Sequence, residues 1–277
     1  MKRLFLLCLL LLLATAAQAG PIRIGLTPVI LDEQVRFLER WRLYLEQATG
    51  HEVQFVRRNS YSEIVDLALR GRLDFAWLCG YSYVSQDRAL EILAVPLFQG
   101  EPSYQAYLIV PASNTDATEL ADLENGIFAF SDPNSNSGWL YPERQLRELN
   151  TSSERFFARG FFTSGHRRVI EAVAHGLADG GSVDSYVWET LARDKPQLVA
   201  DTRVIGRSPE FGFPPIVATP AASDAAREAL QAALFAMNEH PEGRGILQQL
   251  NLDGFIAGGD SLYDSIRALA DQVSSGP

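Results

Sequence analysis

A strand-then-helix rhythm runs through the first part of this chain, restarts in the middle, and gives way to a shorter closing passage. Residues 22–26 alternate as a strand does and stop at Thr27-Pro28. Phe37, Leu38, Trp41, Leu45 and Ala48 recur at helical spacing, predicting a helix over 33–49 that Gly50 ends. Residues 52–57 alternate again, and Ser60 with Glu63 forms a capping-box pattern opening the next helix. Buried strands are expected at 75–79 and 92–97, and a long one over 104–110 ends at Pro111. The rhythm restarts with a strand at 127–130, a helix near 135–138 interrupted at Pro142, a helix over 167–175 stopped by Gly176, a short strand at 181–184 and a helix over 186–193. A strand at 214–219 follows a Pro/Gly-rich crossover, then helices over 223–238 and 261–273. This order predicts α/β architecture with largely parallel sheets. It also predicts two lobes: lobe 1 over 20–110, lobe 2 over 111–210, and a return to lobe 1 over 211–277. Crossings near 110–114 and 208–215 would make a two-crossing hinge, which closes by small backbone changes at a few residues.

The N-terminus predicts export. Lys2 and Arg3 precede an apolar run over 4–13 that is too short to span a bilayer, and Ala17-Gln18-Ala19-Gly20 is an A-x-A-type cleavage site. Residues 1–19 therefore read as a signal peptide cleaved after Ala19. Without Lys2 and Arg3 the remainder holds 22 basic and 34 acidic residues, a net charge of −12, a balance that argues against a nucleic-acid partner, which needs a basic surface. Cys8 lies in the leader, so Cys79 remains alone and no intramolecular disulfide is expected.

The segment Ser131-Asp132-Pro133-Asn134-Ser135-Asn136-Ser137-Gly138 joins a strand end to a helix start. Such a start offers unpaired N–H groups and the positive end of the helix dipole, and Ser135, Asn136 and Ser137 add side-chain donors. They can hold an anion without any formal positive charge, or simply cap the helix. His166 also opens a helix, where it suits anion donation better than capping, or stands exposed. Asp184 ends an apolar strand, the position where α/β ligands sit, or caps the helix that follows. Thr27, Tyr61, Cys79 and Tyr83 lie at strand ends or helix starts, and Tyr104 begins the strand leading to the hinge; each also suits packing. No cluster of His and Cys has metal-ligand spacing, so neither a metal nor another cofactor is expected.

Four stretches in order resemble the phosphonate, phosphite and phosphate substrate-binding proteins of ABC importers, which share the periplasmic type II solute-binding fold. They are Phe75-Ala76-Trp77-Leu78-Cys79-Gly80 with Tyr83, then Tyr104-Gln105-Ala106-Tyr107, then Asp132 to Gly138, and finally Ser164-Gly165-His166 through His175-Gly176 to Val183-Asp184-Ser185. The resemblance implies that Ser135, Asn136, Ser137 and His166 hold a small oxyanion. It also implies that Tyr104 adds a donor, that Tyr61 closes from the other lobe, and that Asp184 sits near the ligand's substituent or acid proton. Thr27, Cys79 and Tyr83 are further candidates. The family's loop reads D-P-x-S-T-S-G, and its threonine is Asn136 here, a longer side chain that also presents an acceptor.

The function expected is that of a periplasmic, monomeric binding protein handing its ligand to a membrane ABC permease. The alternative is a sensor reporting to a membrane histidine kinase, with arsenite as a further ligand because of Cys79. A hydrolase is remote: the sequence has no H-E-x-x-H and no G-x-S-x-G, leaving His166 and Asp184 as a conceivable dyad with a serine.

Overall fold

The computed structural model describes residues 20–28, 35–86 and 89–275. The expected leader and the first two residues of the expected helix over 33–49 lie outside them. The first lobe opens with β1 (Ile22–Leu26), α1 (Val35–Thr49), β2 (Val53–Arg57), α2 (Tyr61–Leu69), β3 (Phe75–Trp77), the short α3 (Gly80–Val84) and β4 (Glu91–Leu97). Ser60 caps α2 as its sequence predicts, accepting from the Glu63 N–H. Trp41 and Leu45 of α1 are fully buried with Phe75 and Leu78. Trp41 lies edge-on to Trp77 at 5.9 Å, so the apolar stripe of the helix is sealed onto the sheet.

The chain leaves through β5 (Ser103–Tyr104) and builds the second lobe from β6 (Ala106–Pro111), β7 (Ile127–Phe130), α4 (Tyr141–Glu148), α5 (Ser153–Phe156), β8 (Arg159–Phe162), α6 (His166–Ala174), β9 (Gly180–Asp184), α7 (Ser185–Asp194), α8 (Pro196–Ala200) and β10 (Thr202–Arg207). It returns through β11 (Phe211–Gly212) and adds β12 (Ile216–Ala218), α9 (Asp224–Phe235), α10 (Pro241–Leu250), β13 (Gly254–Ile256) and α11 (Asp264–Ser274).

Two sheets result, ordered β13-β4-β12-β3-β1-β2 and β10-β6-β9-β7-β8. The two share one plan. In each, the first strand is flanked by the second and third, and a strand arriving from the opposite lobe (β12 or β6) is inserted beside the third. Those inserted strands run antiparallel to their neighbours, whereas β1 with β2 and β3, and β7 with β8 and β9, are parallel. The sheets are therefore mixed, not largely parallel as the strand-helix rhythm suggests. A strand entering from the hinge travels against the direction of the βαβ units it joins.

The first crossing also lies upstream of the expected position at 110–114. The apolar run over 104–110 breaks at Gln105: Tyr104 pairs with Phe211 in a two-stranded ribbon, and residues 106–111 pair with β9 and β10 in the second sheet. Gln105 donates its backbone N–H to Ser185 Oγ at 2.9 Å, and the Ala106 N–H reaches Ser208 Oγ at 2.8 Å, tying the two crossings together. Near Pro142 the expected interruption is absent. A π-type turn over Asn136–Leu140, closed by Leu140 N–H to Ser135 O at 3.0 Å, leads directly into α4, and Pro142 sits in the first turn, where its missing N–H costs no hydrogen bond.

Candidate functional site

Strand direction and helix starts bring the chemistry to one seam. The carboxyl ends of β1, β3, β7 and β9 point toward the boundary between the lobes, where ligands of open α/β sheets sit. Five helical segments begin there: α2 at Tyr61, α3 after Cys79, the π-type turn after Ser135, α6 at His166 and α7 after Asp184. Tyr61, Cys79, Tyr104, Ser135, Asn136, Ser137, His166 and Asp184 are all buried.

Hydrogen bonds cross the seam beside these helix starts. The Tyr61 N–H donates to Asp132 Oδ2 at 3.2 Å, Ser82 Oγ to Asn134 O at 3.1 Å, and the Asn136 N–H to Cys79 Sγ at 3.3 Å. Beside them Tyr81 stacks on Trp139, with ring centroids 6.0 Å apart. The second-lobe loop is braced by its own hydrogen bonds. Asp132 Oδ1 accepts from the Asn134 N–H, Ser135 Oγ accepts from the Gly138 N–H at 3.0 Å, and Ser182 Oγ donates to Ser137 O. Glycine is required at 138, where a Cβ would stand 1.8 Å from Ser131 Oγ and 3.0 Å from His166 Cε1.

His166 is held in one tautomer. The Asp184 N–H donates to His166 Nδ1 at 3.1 Å, so Nδ1 is the acceptor and the neutral ring carries its proton on Nε2. Nε2 lies 3.4 Å from Ser135 Oγ. Burial drives the imidazole pKa down to about 3, so this group is a neutral donor at physiological pH. Asp184 moves the other way. Burial raises its carboxyl to about 7, although Oδ1 caps α7 by accepting from the Tyr186 N–H at 2.8 Å. Burial also lifts the Cys79 thiol to about 11, so Cys79 remains protonated and serves as an acceptor for the Asn136 N–H.

Four buried side-chain atoms at this seam have no hydrogen-bond partner in the protein: Tyr61 Oη, Ser131 Oγ, Asn136 Oδ1 and Ser137 Oγ. Native interiors rarely leave such groups unpaired, because each costs about 1–3 kcal/mol. Their convergence from both lobes, next to His166 Nε2, outlines a site for a small polar ligand. No lysine or arginine is among these groups. A family profile described as the periplasmic phosphonate substrate-binding protein of ABC transporters matches residues 24–263. The chain belongs to this family.

Relatives agree. The phosphate-import protein PhnD of Mycolicibacterium smegmatis is 31% identical over 166 residues, which cover 56% of this chain and 51% of that protein. The match thus spans about half the length of that relative. The phosphonates-binding periplasmic protein of Escherichia coli is 26% identical over 252 residues, 86% of this chain and 73% of its own. A crystal structure of a binding-protein component of a Pseudomonas aeruginosa ABC phosphonate transporter superposes with a TM-score of 0.83 at 26% identity, covering 92% of this chain and 87% of that one. The fold is that of type II periplasmic binding proteins.

Within this phosphonate-binding-family protein the expected residues divide. Tyr61, Tyr104, Ser135, Asn136, Ser137, His166, Asp184 and Cys79 meet at the seam. Thr27 reaches its edge, but its hydroxyl proton goes to Trp77 O at 3.0 Å. Tyr83 does not join them: its hydroxyl donates to Asp260 Oδ1 at 2.7 Å and its ring packs on Tyr263, inside lobe 1. Ser131 and Asp132 have a larger part than sequence reasoning assigned. As the residues that end a strand they looked like punctuation, and only the fold brings Ser131 Oγ to the site and Asp132 opposite Tyr61. Glycine at 138 was the available signal for that crowding.

Proposed function

We propose that this protein captures a small phosphorus oxyanion (phosphonate, phosphite or phosphate) between its lobes and presents the closed form to a membrane ABC permease. The observation that carries this reading is the set of buried, unpartnered polar atoms contributed by both lobes around His166 Nε2. Tyr61, Ser131, Ser135, Ser137 and His166 donate to the anionic oxygens, helped by the N–H groups at the start of α6. Tyr104 holds Asn136 through a 3.0 Å contact from Nδ2 to its hydroxyl, and Asp184 fixes the histidine tautomer. The lobes comprise residues 20–104 with 211–275, and 106–208, and the ligand shifts the open–closed equilibrium by its greater affinity for the closed form. Binding without turnover, in the periplasm and as a monomer, completes the proposal.

Titration calorimetry of ligand-stripped protein against phosphate, phosphite, methylphosphonate, 2-aminoethylphosphonate, arsenite and acetate tests it. Micromolar or tighter binding of a phosphorus oxyanion is expected. Binding of arsenite alone, lost in Cys79→Ala, or of no member of the panel, overturns the reading.

A further inference from the structure

One atom in the seam is not satisfied by an anion's charge. Of the four unpartnered atoms, three are hydroxyls, which can turn their protons toward an anionic oxygen. Asn136 Oδ1 has no proton to turn. The amide nitrogen of the same side chain is placed on Tyr104 Oη at 3.0 Å, and in this orientation Oδ1 is left as an unpartnered acceptor. The backbone N–H of Asn136 is held by Cys79 Sγ at 3.3 Å, and the residue is fully buried. An oxyanion lacking any proton would set a negative oxygen against this carbonyl. It would also sit beside the Asp132 carboxylate with no cationic side chain among the described residues of the cluster to offset it.

We infer that Asn136 Oδ1 accepts the acid proton of a partly protonated oxyanion, so that the site takes a singly charged, hydroxyl-bearing ligand and rejects an anion of the same shape and charge that has no O–H. The inference rests on the phosphorus-oxyanion reading above and names which form of that ligand is bound. A site built around a ligand hydroxyl discriminates strongly against the analogue without it, because the buried acceptor is then left unpaired. Asp184 is a poorer candidate for the same role, since its carboxyl already accepts from the Tyr186 and Val187 N–H groups at the start of α7.

Methylphosphonate and methanesulfonate make the test. At a pH below the second ionisation of methylphosphonate, both are tetrahedral monoanions with one methyl group, and they differ by a single O–H. Calorimetric titrations would compare both anions on the parent protein, Asn136→Ala and Asp184→Asn, with a thermal melt of each variant to establish that it is folded. The parent should bind methanesulfonate roughly tenfold to a hundredfold more weakly than methylphosphonate. Asn136→Ala should narrow that ratio at least severalfold by weakening methylphosphonate alone, and Asp184→Asn should leave it standing. A parent that binds both anions alike overturns the inference and leaves the oxyanion reading intact. So does a ratio that collapses in Asp184→Asn but not in Asn136→Ala. If the parent binds neither these two anions nor any phosphorus oxyanion, both fall.

Discussion

His166 and Asp184 are buried within hydrogen-bonding reach, and burial moves their pKa values in opposite directions. The unfolded imidazole takes up its proton near pH 6.5, but the folded one holds out to about 3, so this group's stabilisation is lost as pH falls through that window. The unfolded carboxyl loses its proton near 3.8, but the folded one keeps it to about 7, so its stabilisation is lost as pH rises from 3.8 to 7. Between about pH 4 and 6.5 the two slopes, each about 1.4 kcal/mol per pH unit, oppose each other. Relative to the parent, Asp184→Asn should therefore lose stability on acidification across that range. His166→Asn should gain it, as denaturant unfolding at pH 4.5 and 6.5 would show; parallel pH profiles for all three proteins would contradict this account. Tyr61 separates binding from folding. Its hydroxyl has no protein partner, so Tyr61→Phe should weaken oxyanion binding roughly tenfold while the ligand-free melting temperature stays level or rises. Loss of folding in step with loss of binding would point to a structural role for that hydroxyl.

The loop from β7 to α4 is the element on which the site depends. Its turn places Ser131 and the start of the π-type helix so close that residue 138 must lack a Cβ. Gly138→Ala should cost at least about 2 kcal/mol in chemical denaturation through overpacking against Ser131 and His166. Adding Ser131→Gly removes the two nearest atoms and should restore part of that loss, a coupling that independent sites would not show. The other helix starts are less constrained, since Ser60 and Asp184 cap theirs in the ordinary way.

Across the whole molecule, closure is held by contacts that an oxyanion does not touch. The Tyr81–Trp139 stack and the Ser82–Asn134 bond join α3 to the second-lobe loop, and Arg144 of α4 hydrogen-bonds Gln272 of α11. An aromatic pair of this kind contributes about 0.5–1.5 kcal/mol. Tyr81→Ala should therefore raise the dissociation constant roughly two- to tenfold, with the change in the release rate rather than in capture, as stopped-flow fluorescence would resolve. An unchanged release rate would mean that the stack forms no part of the closed state.

Local chemistry decided a good deal in this chain. Periodicity and caps located α1, α2, α6 and α7, because helix stripes and Ser60 act within a few residues of sequence. The donor-rich loop at 131–138 and the helix start at His166 were legible for the same reason. The strands β8, β10 and β13 and helix α10 escaped notice, being short or flanked by weak stop signals. Only tertiary structure placed residues 106–111 in the second sheet, since an apolar strand buried on both faces does not encode which sheet receives it. It also separated Tyr83 from Tyr61. Both are buried tyrosines near helix starts, and the difference lies in partners 71 and 177 residues away along the chain: Asp132, opposite the Tyr61 N–H, and Asp260, which takes the Tyr83 hydroxyl. Sequence determines which groups can donate, but hydrogen bonds are satisfied in space, and only the fold shows which of those donors remain for a ligand.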